Sequence, residues 1–357
     1  MADYTTINKP DDFFDCRSYT GTGSNNITLT MDDVGIVWIK NQGASADHIL
    51  IDIARGGNNS SSQAPILKPN TNAGAQGTDV TATGGIAFGS TSTVIGSDNG
   101  GYNYNSSGAN YMCWHWRTGG SASNNTDGTT TTSVSANTTS GVSVGTYVGT
   151  SANATIGHGL GGVAECLLIK NRDSGSRKWA VWFKDLSSAT KYLSLSATST
   201  EQNDSQTWIN TVPTSTVFSS GGSGEVNQGS QKFVFYGFTS VRGFSKIGMY
   251  IGNGQTENAY INCGFRPSFV LYKNNSETDE WFFHDDQRDG FNDDNEYLRS
   301  PTNAGNSDGI NRIRLLSNGF KITTSDKGAG KDGNVYMYMA FARHPLVTST
   351  GVPTTAR

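Results

Sequence analysis

Residues 285–296, DDQRDGFNDDNE, hold the densest run of oxygen ligands in the chain. Asp285, Asp289, Gly290 and Glu296 fall at positions one, five, six and twelve of a calcium loop, in which carboxylates and a sharp glycine turn wrap the ion. Gln287 breaks position three. The flanks Trp281-Phe282-Phe283 and Tyr297-Leu298 read as strands, where such a loop needs helices. The same residues suit an acidic hairpin on a solvated edge. Ca2+ held by Asp285, Asp289 and Glu296 is therefore one expectation beside a plainer one.

Tryptophan supplies the second candidate chemistry. An aromatic face stacks on a pyranose ring while nearby Asn, Asp and backbone groups fix its hydroxyls. Trp179 and Trp182 have opposite parity on one alternating run, so at most one of them faces the core of a simple sandwich. Trp182 is the better candidate for exposure, and the polar run 276–280 places Trp281 near an edge. Core packing competes with this reading and is the simpler account of Trp179 and Trp281. Trp182 and Trp281 stand as the two ligand-contact candidates.

Other motifs carry less. The pattern G-x-G-x-x-G occurs at 157–162, but it precedes a strand-like run and no βαβ unit surrounds it. It reads as a loop between strands, not as a phosphate cradle. There is no G-x-S-x-G elbow, and His48, His115, His158, His284 and His344 occupy no catalytic pattern. His48 and His284 fall in strand regions where the middle of the chain has Trp182 or Phe183, an interchange that suits packing. Paired carboxylates for glycoside hydrolysis depend on spatial separation and stay open. The expectation is a non-enzymatic chain.

The elements that must position these residues recur. Three stretches open alike at Tyr19-Thr-Gly21, Tyr147-Val-Gly149 and Tyr250-Ile-Gly252. Each leads to an apolar run ending in Lys-Asn, at Lys40-Asn41, Lys170-Asn171 and Lys273-Asn274. Each closes on an aromatic run: 111–116, 233–238 and 336–341. From the second set to the third, all three landmarks advance by 103 residues; from the first to the second they advance by 128, 130 and 122. Extra chain is visible at 118–140, composed almost entirely of Gly, Ser, Thr, Asn and Ala. Apolar residues alternate or run continuously over five or six positions, the strand signature, and Asn-Gly and Asp-Gly turns separate the runs. The closing runs are apolar on both faces, which predicts central strands covered twice. The reading is all-β: three tandem β-sandwich units at 1–117, 141–242 and 243–346, with a flexible segment at 118–140 and a tail at 347–357.

These motifs resemble a tandem domain of unknown function found in virion proteins of tailed phages of marine bacteria and cyanobacteria. The likeness rests on Ile169-Lys170-Asn171-Arg172, Lys191-Tyr192-Leu193 and Val217-Phe218 in the second unit. In the third it rests on Gly264-Phe265-Arg266-Pro267, Tyr297-Leu298 and Asn318-Gly319-Phe320, and in the first on Lys9-Pro10, Phe13-Phe14 and 52–56. It implies a jelly-roll or lectin-like sandwich, surface-exposed on a virion after folding in the host cytoplasm. The function it implies is a tail-fibre or adhesin component contacting the host cell surface. A capsid-decoration or tail-connector role is the alternative. It supplies no catalytic residue. The divergent first unit is the expected virion anchor.

Composition sets the outer limits. A net charge of −4 leaves no basic excess for phosphates, so no nucleic-acid partner is expected. No apolar stretch approaches 18 residues, so no membrane insertion is expected. The N-terminus has no signal-peptide pattern. The four cysteines are widely spaced and suit buried thiols. Charged residues make up only 16% of the chain, so Ser, Thr, Asn and Gly must supply the polar surface, which suits wet contacts with glycans. The expected partners are other virion subunits and host surface polysaccharide, with a homo-oligomeric assembly.

Overall fold

Strands apolar on both faces have to be covered twice, and the topology does so. The structure, a computed structural model, describes residues 5–23, 27–56, 65–75, 85–98, 101–257, 259–288, 292, 296–307 and 309–345. In the first large sheet the opening strand Phe14–Thr20 pairs with the closing strand Asn110–Arg117. The closing strand pairs in turn with the Lys-Asn strand Val34–Asn41, and that with the flanking strand Ile49–Asp52, all antiparallel. The same order recurs through Val142–Val148, Lys232–Phe238, Cys166–Asn171 and Ala180–Phe183. It recurs again through Ser245–Ile251, Val335–Phe341, Phe269–Asn274 and Trp281–Asp285. The fold is all-β, with a single short α-helix, Ser205–Trp208, among the described residues.

One face of each large sheet packs on a smaller sheet. In the second, Phe233 and Phe235 share a core with Ile156 and Phe218 of the pair Ala154–Gly157 and Val217–Ser220. In the third, Tyr336 and Tyr338 meet Ile261, Ile313 and Phe320 of a three-stranded sheet. The opposite faces of all three large sheets merge into one buried cluster. Trp116, Phe238 and Phe341 hold the same place on their closing strands. Their ring centroids lie 6.3, 5.8 and 6.0 Å apart, so each ring touches the other two. The sheets thus stand around one axis, with aromatic rings filling it.

The repeated dipeptide Lys-Asn has a physical explanation. Each asparagine carboxamide oxygen accepts the N–H groups two and three residues on, which closes the turn after the strand. Each lysine is fully buried and donates to backbone carbonyls, which burial of a charge requires. Lys40 reaches Asn41 O at 2.7 Å, Lys170 reaches Asn72 O at 2.8 Å, and Lys273 reaches Asn274 O at 2.7 Å and Thr198 O at 3.2 Å. Burial lowers all three ammonium groups to about 8. The opening motif is equally determined. Tyr19, Tyr147 and Tyr250 stack on Tyr111, Phe233 and Tyr336 and donate to the carbonyls of Tyr104, Val226 and Ala329. A Cβ at Gly21, Gly149 or Gly252 would lie within 2.3 Å of a facing backbone oxygen, so only glycine fits there.

Two of those lysine bonds cross from one sheet system to the next, and they belong to a set. The first system docks on the second through Ala75 N–H to Arg172 O at 2.7 Å and Trp179 Nε1 to Lys68 O at 3.2 Å. The second docks on the third through Asp279 N–H to Thr198 O and Trp281 Nε1 to Ser194 O at 2.8 Å. The third returns to the first through Asn306 N–H to Gln42 O at 2.6 Å and His48 Nε2 to Arg299 O at 3.0 Å. One head-to-tail contact used three times therefore closes on itself. His48 stands opposite Lys40 and corresponds to Trp179 and Trp281, which its sequence neighbourhood did not reveal.

The stretch 118–140, expected to be flexible, is instead ordered. It forms Ser123–Asn125 and Thr132–Asn137, which extend the second sheet to eight strands. Thr132, Val134 and Ser135 are buried there, and the Ser135 hydroxyl meets Thr118 Oγ1 at 2.6 Å. Small polar residues sit well in a strand when their hydroxyls find partners. The tail 347–357 lies outside the described residues. All four cysteines are buried free thiols, and no described helix is long and apolar enough to cross a membrane.

Truncating Phe238 to Ala removes one side of the axial triangle and is expected to cost about 3–5 kcal/mol. Urea unfolding measures this, and the transition should remain a single step. The buried lysines give a pH signature. In the unfolded chain they titrate near 10.4, so between pH 8 and 10 the unfolded state holds more protons than the folded state. Stability should therefore rise with pH across that window, by up to about 1.4 kcal/mol per unit per lysine. Lys170→Met should remove roughly a third of the slope, read from urea midpoints at pH 7.5 and 9.5.

Candidate functional site

Asp285 ends its flanking strand with the carboxylate turned into the seam between the third and first sheets. Its Oδ2 accepts Arg288 Nε at 2.9 Å, Arg288 NH2 at 2.8 Å and Trp114 Nε1 of the first closing strand at 3.1 Å. The carboxylate expected at position one of a calcium loop is thus bound to a guanidinium and an indole. Glu296 accepts from the Asn306 carboxamide, and Asp289 lies outside the described residues. Among the described residues no three His, Cys, Asp or Glu side chains are grouped as metal ligands.

Trp182 and Trp281 are not at the surface. Trp182 is 3% exposed within the core between the second large sheet and its small partner. Trp281 is fully buried and stacks on Phe183 with centroids 6.3 Å apart. The parity argument took one face of the strand as open to solvent. Both faces of Ala180–Phe183 and of Trp281–Asp285 are covered, so neither ring offers a stacking platform. The histidines of the strands are also enclosed. Burial holds His48 and His115 down to about 3 and pushes His284 well below the usual imidazole range, which keeps them neutral.

Sequence reading missed a buried exchange. Asp52 pairs with Arg55 and accepts the Tyr236 hydroxyl at 2.6 Å from the second closing strand. This repeats the arrangement of Asp285, Arg288 and Trp114. At the third seam the corresponding positions are Phe183, Leu186 and Met339, so acceptor, cation and donor are all replaced by apolar groups. The signal was D-x-x-R at 52–55 and 285–288 against F-x-x-L at 183–186.

A cleft opens at the seam between the first and third systems. It has a volume of about 670 Å3 and lies between the edge of the first sheet at Ser18, the turns at 41–44 and 108–110, and the third system at Gln287, Arg288, Glu296 and Asn306. Its walls are tied together. Gln42 N–H donates to Asn110 O at 2.9 Å, and its carboxamide donates to Ser18 Oγ at 3.0 Å. Arg288 NH1 donates to Asn306 Oδ1 at 3.2 Å and NH2 to Phe283 O at 2.8 Å, so with Asp285 four of the five guanidinium N–H groups point at protein partners. The volume falls within the roughly 300–1,000 Å3 of small-molecule sites, but the lining is polar and has no aromatic wall.

Arg288→Met leaves Asp285 buried without its cation and is expected to cost about 3–5 kcal/mol. Asp285→Phe combined with Arg288→Leu, the residues of the second system, should cost less than the single change. Thermal unfolding of both variants tests this, with the same loss expected in Ca2+ and in EDTA.

No curated protein and no solved structure matches the chain. A family model does, over residues 9–345, which takes in all three large sheets and the cleft. The chain belongs to the family described as a domain of unknown function, DUF7483.

Proposed function

We propose that this chain is a non-enzymatic virion protein, a tail-fibre or adhesin component that contacts the host cell surface through three tandem β-sandwich units. The observation that carries the recognition role is the polar cleft between the first and third sheets. Placement on a virion rests on the resemblance of the repeated motifs. Recognition without aromatic stacking is weak per site, so attachment depends on many copies acting together, which raises avidity without new contacts. Neutral buried histidines and a buried, ion-paired Arg288 favour binding over proton transfer.

A second reading, a decoration or connector subunit, draws on the strand Ser245–Ile251. Met249 and Ile251 are 46% and 52% exposed on an edge strand, where a neighbouring subunit would cover them. The two readings separate in one assay. Labelled recombinant chain is mixed with host cells before and after their surface polysaccharide is stripped. Saturable binding lost on stripping is the expected result; no binding by folded protein at high concentration favours the subunit role.

A further inference from the structure

The three seams share a plan, so residues at corresponding positions show how the walls of this cleft differ from their counterparts. The turns bordering the cleft carry Gly43, Ala44, Gly108 and Ala109. In the second system the corresponding residues are Asp173, Ser174, Ser230 and Gln231. In the third they are Ser276, Glu277, Gly333 and Asn334. A Cβ built on Gly43 or Gly108 meets nothing within 4 Å, so the missing side chains face open space. The second system carries a larger side chain at all four of these positions and the third at three, with Gly333 in the place of Gly108.

Charge is removed at the same place. Ser18, Gln42 and Asn110 stand where the second system has Thr146, Arg172 and Lys232. The one cation in the lining, Arg288, has four of its five N–H donors on Asp285, Asn306 and Phe283 O, and its side chain is only 1% exposed. A phosphate, sulfate or carboxylate ligand would meet no available cation, and Glu296 would oppose it. What the walls offer is carboxamides, a hydroxyl and the polypeptide edges of two turns. Groups of this kind exchange hydrogen bonds with hydroxyls, and polar pockets that lose such a partner lose affinity.

We infer that this cleft binds a neutral, polyhydroxylated ligand, a short uncharged saccharide segment, and discriminates against anionic sugars. This assignment rests on the recognition reading and names its site and ligand class.

The test uses the full chain, labelled and applied to an array of neutral hexose, deoxyhexose and N-acetylhexosamine oligosaccharides beside sulfated and sialylated ones. Titration calorimetry then gives the affinity for the best neutral hit. Gly43→Ser, Ala44→Glu and Ala109→Asn together refill the cleft with the third system's residues, which the fold already tolerates there. Asn110→Ala removes one polar group without filling anything. The expected result is binding confined to neutral glycans, weakened at least tenfold by the refilled variant and severalfold by Asn110→Ala, with unchanged unfolding temperatures. Preference for anionic glycans, no neutral binding at millimolar concentration, or binding unaffected by refilling overturns the inference. The refilled variant also goes into the cell assay. Cell binding that survives refilling leaves the adhesin reading standing and removes the cleft from it; cell binding absent in the unaltered chain removes the adhesin reading itself.

Discussion

Three closing strands turn one face each toward a common axis, and the contact of Trp116, Phe238 and Phe341 there constrains the rest of the molecule. Each strand must be apolar on both faces, one for the axis and one for its small outer sheet. That requirement places the closing strand in the interior of its sheet, between the opening and Lys-Asn strands, rather than at an edge. It also suits a low charge content in a chain this long, because a charged side chain on such a strand must find buried partners, as Lys40, Lys170 and Lys273 do in backbone carbonyls. Burying a phenylalanine or tryptophan stabilises by about 1.5–3 kcal/mol or more, and here the gain is shared among three sheets.

The polar groups buried around this core set the register between sheets. A buried charge or ring N–H is costly unless it is bonded, and the cross-seam bonds are specific in direction. His48, Trp179 and Trp281 each donate to a carbonyl of the preceding system in the ring. The Asp-Arg pairs add a second tie at two seams and are absent from the third. Where Met339 replaces a donor, Phe183 replaces the acceptor, so no polar group is left stranded. That joint replacement is what the physics of an unpaired buried charge demands.

Much of this was legible from residues. The matching intervals of Tyr, Lys-Asn and closing aromatics identified equivalent strands, and two-sided apolar runs identified the central ones. What failed did so for one reason: the sequence does not say what covers the second face of a strand. Trp182 was assigned to solvent by parity, but an outer sheet lies over it. Residues 118–140 looked flexible by composition, yet Val134 and the hydroxyls of Thr132 and Ser135 dock a hairpin against the second sheet. Asp285 matched a calcium loop in spacing, while its partner Trp114 comes from 171 residues away. The cleft was invisible because the small residues that border it, Gly43, Ala44, Gly108 and Ala109, stand out only against their larger counterparts in the second system.

A cleft between two sheets keeps its shape only if the sheets cannot move apart, so the closed ring is the central claim. Native-state hydrogen exchange of the full chain tests it directly. The expected result is that the slowest amides of Asn110–Arg117, Lys232–Phe238 and Val335–Phe341 share one opening free energy and one denaturant dependence, because the three strands open together. A closing strand that opens at distinctly lower free energy than the other two would contradict the ring and leave three sandwiches merely tethered in line.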